Sequence, residues 1–215
     1  MSRTVLALDS THDACSVAVV RDDGEVLAFE LSEMERGQAE ALMPMVKEAM
    51  DKAKCEFSDL SYIAVTVGPG SFTGVRVGLA AARGLALAAR LPMAGVTVCE
   101  AAAFDFYKKF PNDDRLLGVV LETKRDDFYV QFYKDGAPLS EPYTAFSSEL
   151  KEKTDAVFIG NGTLRLKEEI PEACIEEMPM PTALTAAFLS FDKVASETYP
   201  LPLYLREAEV TLCRK

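Results

Sequence analysis

The sequence predicts an α/β protein built from two similar lobes, each with the element order β-β-β-α-β-α. Strand patterns alternate with helical patterns along the 215 residues, and 49% of the chain is hydrophobic, which suffices for a sizeable core. The second half echoes the first, because residues 121–123 resemble residues 8–10 and each triplet precedes a strand pattern and an Asp-Gly turn. Residues 157–162 likewise resemble residues 65–70, each a strand that enters a glycine turn. The two echoes predict an internal duplication.

The first lobe is predicted to begin with three strands, because short runs rich in β-branched residues are separated by turn residues. The three strands cover residues 5–10, 15–21 and 26–31. Asp22, Asp23 and Gly24 form the turn between the last two. A helix over Gln38–Ala53 comes next, since its apolar residues recur three or four positions apart, and Pro44 predicts an irregular first turn or a later start.

The remaining elements continue this alternation. A strand from Tyr62, a glycine loop, a helix to about Arg90 and a strand over residues 94–98 complete the first lobe. A helical stretch over residues 101–109 ends before the next strand, so we expect it to cross between the lobes. The predicted domains are residues 1–100, residues 101–200 and a tail over residues 201–215 that returns to the first lobe.

The glycine loop joins a predicted strand to a predicted helix. Its glycines permit positive φ and close approach, and the first amides of a helix attract phosphate or carboxylate. The candidate residues for binding an anion or nucleotide are Asp9, Ser10, Thr11, Gly68, Gly70, Ser71, Thr73 and Gly74. The loop lacks the Gly-Lys-Ser/Thr ending of a Walker A motif and is not a Gly-x-Gly-x-x-Gly fingerprint. The alternative is a turn that simply packs tightly.

Four segments together resemble a known bacterial family. They are residues 6–11, 38–44, 68–78 and 202–206. Their sequence and order are similar to those of the TsaB (YeaZ-like) family of tRNA threonylcarbamoyladenosine biosynthesis proteins, within the superfamily of actin-like, sugar-kinase and heat-shock-protein ATPases. The resemblance is strong over residues 4–100 and weaker over residues 101–200.

The resemblance implies a duplicated actin-like fold of the ribonuclease H-like type and a non-catalytic role. It implies that the chain is a scaffold that binds and organises TsaD, the subunit that transfers the threonylcarbamoyl group to adenosine beside the tRNA anticodon. It also implies the ATPase TsaE as a further partner and a homodimer when TsaD is absent. The alternative is an autonomous ATP-dependent kinase or ATPase that uses Asp9 and the glycine turns.

Few residues could support catalysis or hold a metal. His12 is the single histidine, a surface turn is its expected setting, and one histidine supplies neither a triad nor a metal cluster. TsaD carries a His-x-x-x-His pair on the helix that corresponds to the first helix here, whereas residues 34–45 contain no histidine. The turn at residues 122–125 has no glycine to admit a phosphate. We therefore predict no catalytic residues, no metal and no cofactor.

The helix after the glycine loop has small or apolar residues around most of its circumference. Either this helix is fully buried in its lobe, or its second face meets another helix. The resemblance implies that helices of the first lobe contact TsaD or a second copy. The candidate interface residues are Leu42, Met45, Val75, Gly78, Leu79, Ala82 and Ala86.

The formal net charge of -11 disfavours direct, tight tRNA binding, because phosphate contacts supply most of the affinity for nucleic acid and no basic stripe is visible. The resemblance therefore implies that tRNA chemistry proceeds through a protein partner. Five cysteines without close spacing favour a reducing, cytoplasmic setting over a disulfide framework. We expect no signal peptide and no membrane span, since residues 75–89 contain two arginines and are shorter than the ~20 residues required.

Overall fold

The computed structural model describes residues 2–193 and 195–205. Its first lobe is a five-stranded mixed sheet with the strand order β3-β2-β1-β4-β5. The strands are β1 (Thr4–Asp9), β2 (Ala14–Arg21), β3 (Val26–Glu33), β4 (Tyr62–Thr66) and β5 (Met93–Val96). The helices between them are α1 (Gln38–Ala53) and α2 (Phe72–Ala89), with a short 3-10 turn at Phe57–Asp59 before β4.

The second lobe is a sheet of six strands with the order β11-β10-β6-β7-β8, in which β9 also pairs with β7. The strands are β6 (Leu116–Glu122), β7 (Asp127–Lys134), β8 (Ala137–Pro138), β9 (Tyr143–Phe146), β10 (Ala156–Ile159) and β11 (Cys174–Ile175). The helices of the second half are α3 (Val98–Lys109), α4 (Ser147–Leu150), α5 (Thr163–Glu169) and α6 (Ala183–Ser190).

Both sheets use one pairing scheme, which confirms the predicted α/β duplication. Strand β1 is antiparallel to β2 and parallel to β4, and β6 is antiparallel to β7 and parallel to β10. Each of the strands β4 and β10 is followed within two residues by a glycine with positive φ, which is 103° at Gly68 and 109° at Gly160. The duplication therefore extends to the backbone of the turns.

One helix, α6, packs on a sheet other than the one to which a division at residue 100 assigns it. Helix α3 packs on the second sheet, as its predicted crossing requires, and α6 packs on the first sheet, where Ala183 and Ala187 contact Val5 and Ala7. The second-lobe range of 101–200 therefore includes residues that belong to the core of the first lobe. The reason is that β1 and β4 bury side chains on both faces and need a helix on each.

The sequence placed two helix starts differently. Helix α1 runs without interruption through the exposed Pro44, so the predicted irregular turn or later start is wrong. Helix α3 begins at Val98 rather than Ala101, because Thr97 and Glu100 form a capping box with reciprocal hydrogen bonds of 3.0 and 2.9 Å.

The described part of the predicted tail lies on the first lobe. Ser196 pairs with Met93 at the free edge of β5, and the Leu203 amide donates to the Val67 carbonyl at 2.8 Å. Pro200 packs closely on Gly95, because a Cβ added to Gly95 would lie 2.8 Å from the Pro200 Cβ. Residues 206–215 of the predicted tail lie outside the described residues.

Helix α2 covers the first sheet with the strip that the sequence proposed as a partner interface. Gly78, Ala82 and Ala86 are buried against β1 and β4 within the lobe. An added Cβ at Gly78 would lie 2.9 Å from the Ser10 Oγ, so the small residues permit close approach to the lobe's own sheet. The interface interpretation is therefore wrong for the buried members of the set. These are Leu42, Val75, Gly78, Leu79, Ala82 and Ala86, whereas Met45 is partly exposed.

Helix α2 also tests the expectation that the chain contains no segment long enough to span a membrane. By length and composition alone this 18-residue helix could cross a membrane, so the expectation that the segment is too short is not met. It is the single helix of that kind in the described residues, and 33% of it is buried. One such helix is weak evidence, because a core helix of a globular protein passes the same test.

Replacing Ala82 by Glu should unfold the protein or lower its melting temperature strongly. Ala82 is 0% exposed, so the carboxylate would be buried without a partner at a cost of at least about 3 kcal/mol. Thermal unfolding followed by circular dichroism measures the effect. The matched control is Ala80→Glu on the exposed side of the same helix, which should change stability by less than about 0.5 kcal/mol. Equal melting temperatures for the two variants would contradict the placement of Ala82.

Candidate functional site

A cleft of about 970 Å³ lies between the two lobes. One wall comes from the β1–β2 turn, the glycine loop and the start of α2, and the other comes from the β6–β7 turn and neighbouring residues. The first wall includes Thr11, His12, Asp13, Gly70, Ser71, Phe72, Thr73, Val75, Arg76, Leu203 and Tyr204, and the second includes Leu121, Glu122, Thr123, Lys124, Arg125, Tyr129, Asn161 and Met180. The duplicated fold thus places corresponding turns on opposite sides of one space.

Asp9 ends β1 below this cleft, but it does not line it. Its side chain is 1% exposed, and its Oδ1 accepts hydrogen bonds from the Thr11 amide at 3.1 Å, from the Thr11 hydroxyl at 2.7 Å and from the Thr66 hydroxyl. Its Oδ2 has no hydrogen-bond partner, and the His12 Nδ1 lies 3.4 Å from it. The carboxylate therefore ties the β1–β2 turn to β4 rather than facing the cleft.

His12 is not the surface residue that the sequence predicts. Its side chain is 11% exposed and lies between Asp9 and the cleft, with its Nδ1 3.3 Å from the Thr11 hydroxyl.

The Cys15 thiol on β2 is buried close to Asp9. Burial, and to a smaller extent the Asp9 carboxylate, raise the pKa of this thiol to about 11. This thiol therefore stays protonated near neutral pH and is a poor nucleophile.

The glycine loop packs against the β1–β2 turn with almost no space left. An added Cβ at Gly70 would overlap the Thr11 carbonyl oxygen, and one at Gly74 would overlap the Ser10 carbonyl oxygen. The Ser71 amide donates to the Thr11 carbonyl at 2.7 Å, and the Ser10 hydroxyl donates to the Gly74 carbonyl at 2.8 Å. These contacts favour the tight-turn interpretation of the loop, because backbone occupies the space that its glycines leave.

The eight candidate anion-binding residues are divided between two settings. Thr11, Gly70, Ser71 and Thr73 line the cleft, and Ser71 also caps α2 by accepting from the Gly74 amide at 3.3 Å. The other four, which lie beneath the cleft in the packed junction, are Asp9, Ser10, Gly68 and Gly74. The structure therefore brings half of the set to the cleft, although Thr11 is 1% exposed and its hydroxyl donates to Asp9.

Arg165 is a site residue that sequence reasoning missed. Its guanidinium binds the Glu122 carboxylate through Nε at 2.9 Å and a second nitrogen at 3.1 Å, and it donates to the Asp127 carbonyl at 2.8 Å. It also lies 3.7 Å from the centre of the Phe128 ring. Arg165 thereby holds the β6–β7 turn on α5. No motif indicates it, because Arg165 and Glu122 are 43 residues apart in the chain and meet only in the folded structure.

A second missed group lies at the mouth of the cleft. The Arg76 guanidinium lies 3.7 Å from the centre of the Phe72 ring, and its Nε donates to the Tyr204 hydroxyl at 3.0 Å. The two rings are 5.5 Å apart. The segment that contains Tyr204 therefore fixes the first turn of α2.

The exposed side of α2 lies directly opposite its buried strip. We call it the outer face of α2, and it consists of the exposed Thr73, Ala80, Gly84 and Leu87 together with the partly buried Val77. Leu87 is 72% exposed, and an added Cβ at Gly84 would meet nothing within 4 Å. Sequence periodicity does not separate this face from the buried one, because both consist of small and apolar residues.

Within the described residues, no group of three or more His, Cys, Asp or Glu side chains could hold a metal ion. The two-lobed architecture, with one cleft between duplicated α/β lobes, is an actin-like fold. In this example of the fold, side chains and backbone fill the turn in each lobe that faces the cleft.

Sequence comparisons specify the family. The sequence profile of the family described as "TsaD: tRNA N6-adenosine threonylcarbamoyltransferase" matches residues 32–196. The chain belongs to this family, and its relatives include proteins named TsaB.

Three of these similarities cover different shares of the chain. The tRNA threonylcarbamoyladenosine biosynthesis protein TsaB of Escherichia coli (strain K12) is 34% identical over 131 residues, which are 61% of this chain and 55% of that protein. The chain thus aligns with about half the length of this relative. The protein of the same name from Bacillus subtilis (strain 168) is 29% identical and covers 96% of this chain and 95% of its own. The structure of YeaZ from Pseudomonas aeruginosa superposes with a TM-score of 0.77 at 25% identity, covering 94% of this chain and 100% of that one.

Replacing Gly74 by Ala should destabilise the protein by on the order of 3 kcal/mol, because the new methyl group would overlap the Ser10 carbonyl. Gly84→Ala is the matched control, since Gly84 lies in the same helix with open space around it. That change should stabilise the protein by up to about 1 kcal/mol, the ordinary helix preference for Ala over Gly. Chemical denaturation measures both. If the Gly74→Ala variant had an unchanged free energy of unfolding, the loop would tolerate side chains and could open.

Proposed function

We propose that this protein is a non-catalytic scaffold that binds and organises TsaD for threonylcarbamoyladenosine formation on tRNA. Membership of the family and similarity to TsaB proteins support a role in this pathway. The observation that carries the scaffold proposal is the outer face of α2, an exposed helix surface of small and apolar residues. The sequence predicted a contact through the side of α2 that contains Gly78 and Ala82. The present proposal places the contact on the opposite, exposed side of α2.

Gly84 supports a helical partner. A glycine in the middle of an exposed helix costs about 1 kcal/mol relative to Ala. Nothing within this chain accounts for it among the described residues, since an added Cβ would meet only open space. A partner helix that crosses at Gly84 would use the missing side chain for close approach. Met45 of the adjacent α1 is partly exposed and would extend the contact surface.

The filled junctions support the absence of catalysis. Asp9 accepts hydrogen bonds from Thr11 and Thr66 and does not line the cleft, and Glu122 is bound by Arg165. A kinase or ATPase of this fold would need these turns free to approach phosphates. The rival activity therefore has less support, and we expect ATP hydrolysis at the background rate.

The partners are inferred from the same surface. TsaD would bind the outer face of α2, a second copy of this chain would use that face when TsaD is absent, and TsaE would join the assembled complex. The net charge of -11 supports tRNA contact through these partners rather than directly. This work would take place in the cytoplasm, without a membrane.

Replacing Leu87 by Asp should abolish capture of TsaD and self-association while the protein remains folded. Leu87 is 72% exposed in the isolated chain, so its loss costs no core packing, but burying the new charge at an interface costs several kcal/mol, about 3 or more. A pull-down with TsaD of the same organism and size-exclusion chromatography measure the two interactions.

The control for this experiment is Leu164→Asp on α5 of the second lobe, where Leu164 is 77% exposed. It should bind TsaD as the unmodified protein does, and both variants should keep the original melting temperature. Undiminished TsaD capture by the Leu87 variant would exclude the outer face of α2 as the contact.

A further inference from the structure

Helix α2 is a basic helix in an acidic protein. It contains Arg76 and Arg83, its C-cap is Arg90, and it contains no acidic residue, although the formal net charge of the chain is -11. Because these arginines recur at every seventh residue, they form one row along the helix. We call it the arginine row. It borders the outer face of α2, since Ala80 and Leu87 lie three or four residues from its members.

Among the described residues, no carboxylate neutralises the arginine row. The Arg76 Nε donates to the Tyr204 hydroxyl at 3.0 Å. Arg83 donates to the Pro200 carbonyl at 2.6 Å, so both arginines bind neutral groups. Arg90 is exposed, and its guanidinium makes no hydrogen bond, ion pair or ring contact within the part of the chain that the structure describes. The positive charge of the row is therefore uncompensated within this chain.

Cations elsewhere on the surface do find carboxylates in this acidic chain. Arg3 binds Asp22 at 3.2 Å, and Lys52 of the neighbouring helix α1 binds Glu30 at 2.6 Å. The lack of such partners is therefore a local feature of α2, on the helix whose outer face is proposed to meet a partner. A carboxylate for the row has to come from another molecule.

The segment over residues 200–204 holds part of the row in position. The Leu203 amide donates to the Val67 carbonyl at 2.8 Å, which anchors the segment to the first lobe. Its hydrogen bonds with Arg76 and Arg83 then fix the direction of these two side chains. Because both side chains are ordered before a partner arrives, little conformational entropy would be lost there on binding.

We propose that the outer face of α2 binds an acidic helix of its partner. The apolar side chains of that helix would contact Gly84 and Leu87, and its carboxylates would bind the arginine row. Arginine suits this role, because its planar guanidinium can donate two parallel hydrogen bonds to one carboxylate. Arg90 offers its whole guanidinium, whereas Arg76 offers its terminal nitrogens. This inference rests on the proposed scaffold function and specifies the chemistry of the TsaD contact.

A second copy of this chain fits the arginine row less well than an acidic helix does. In a two-fold dimer formed through the outer face, α2 would meet the same helix of the other copy. That helix carries the same arginines and no carboxylate, so the contact would bring like charges together. The arginine row therefore favours an acidic partner over self-association.

The test measures the affinity of the full-length protein for TsaD of the same organism at low and at high salt. Arg90→Glu should weaken TsaD binding at least about tenfold, and salt should weaken binding of the unmodified protein, because both remove attraction between the row and carboxylates. Arg90→Lys keeps the charge and should retain most of the affinity. Self-association of Arg90→Glu, followed by analytical ultracentrifugation, should not be weakened.

The matched control is Lys151→Glu in the second lobe, which makes the same change in charge where the side chain is 64% exposed. It should bind TsaD as the unmodified protein does. All three variants should keep the original melting temperature, since Arg90 and Lys151 are both exposed. Equal loss of TsaD binding in Arg90→Glu and Lys151→Glu would overturn the inference, because the effect would then come from net charge alone.

Carbodiimide cross-linking of the Arg90→Lys variant identifies the opposing group directly. The reagent joins the introduced amine to a carboxylate in contact with it, forming an amide with loss of water, and mass spectrometry locates the joined peptides. We expect a cross-link to an Asp or Glu of TsaD. A cross-link only to a second copy of this chain, or none in the TsaD complex, would overturn the inference.

The results also separate this inference from the scaffold proposal. If Leu87→Asp abolishes TsaD capture while Arg90→Glu and salt leave it unchanged, the acidic helix is excluded and the scaffold proposal stands. If neither variant changes capture, the outer face of α2 is not the contact and both fail. If Arg90→Glu instead loses binding to tRNA and keeps its affinity for TsaD, the arginine row belongs to a nucleic-acid contact and the inference is overturned.

Discussion

The close contact between the β1–β2 turn and the start of α2 is the constraint on which the first lobe depends. Gly70 and Gly74 have no side chains, so the carbonyl oxygens of Thr11 and Ser10 can lie against the helix backbone. Two hydrogen bonds between turn and loop fix this junction, and the buried Asp9 carboxylate ties it to Thr66 on β4. A side chain at either glycine would separate helix from sheet, and the core beneath α2 would open.

This junction also determines where the protein can act. Once the turn is filled, the phosphates of a nucleotide cannot lie against the loop as they could in an open one. The surfaces that remain exposed are the outer face of α2, where we propose the partner contact, and the cleft between the lobes. Both include the first turns of α2, since Thr73 contributes to each and Arg76 lies at the cleft mouth. A partner on the outer face would therefore lie beside anything bound in the cleft.

The contact between α3 and α6 joins the two lobes. Helix α3 packs on the second sheet and α6 on the first, and the two meet where the Thr185 hydroxyl donates to the Asp105 carboxylate at 2.8 Å. Burial raises the pKa of that carboxyl, although the Thr185 hydrogen bond opposes the shift. Lys193, which follows α6 in the chain, binds Glu100 of α3 at 3.0 Å. Because α6 follows the second sheet in the chain and packs on the first, its contact with α3 links the two lobes.

The sequence by itself determined the order of strands and helices in the first lobe, the duplication and the glycine turns, because these depend on local periodicity and on backbone freedom at Gly68 and Gly70. It did not indicate β9, β11, α4 or α6. It also identified the family through short contiguous segments. Only the tertiary structure decided which side of α2 is buried. Small and apolar residues lie on most sides of that helix, so the spacing of its hydrophobic residues does not indicate which side faces the sheet. The same holds for the position of α6 on the first sheet and for the Arg165 clamp on Glu122. These features join residues far apart in the chain, and they form only because two sheets must each bury both faces.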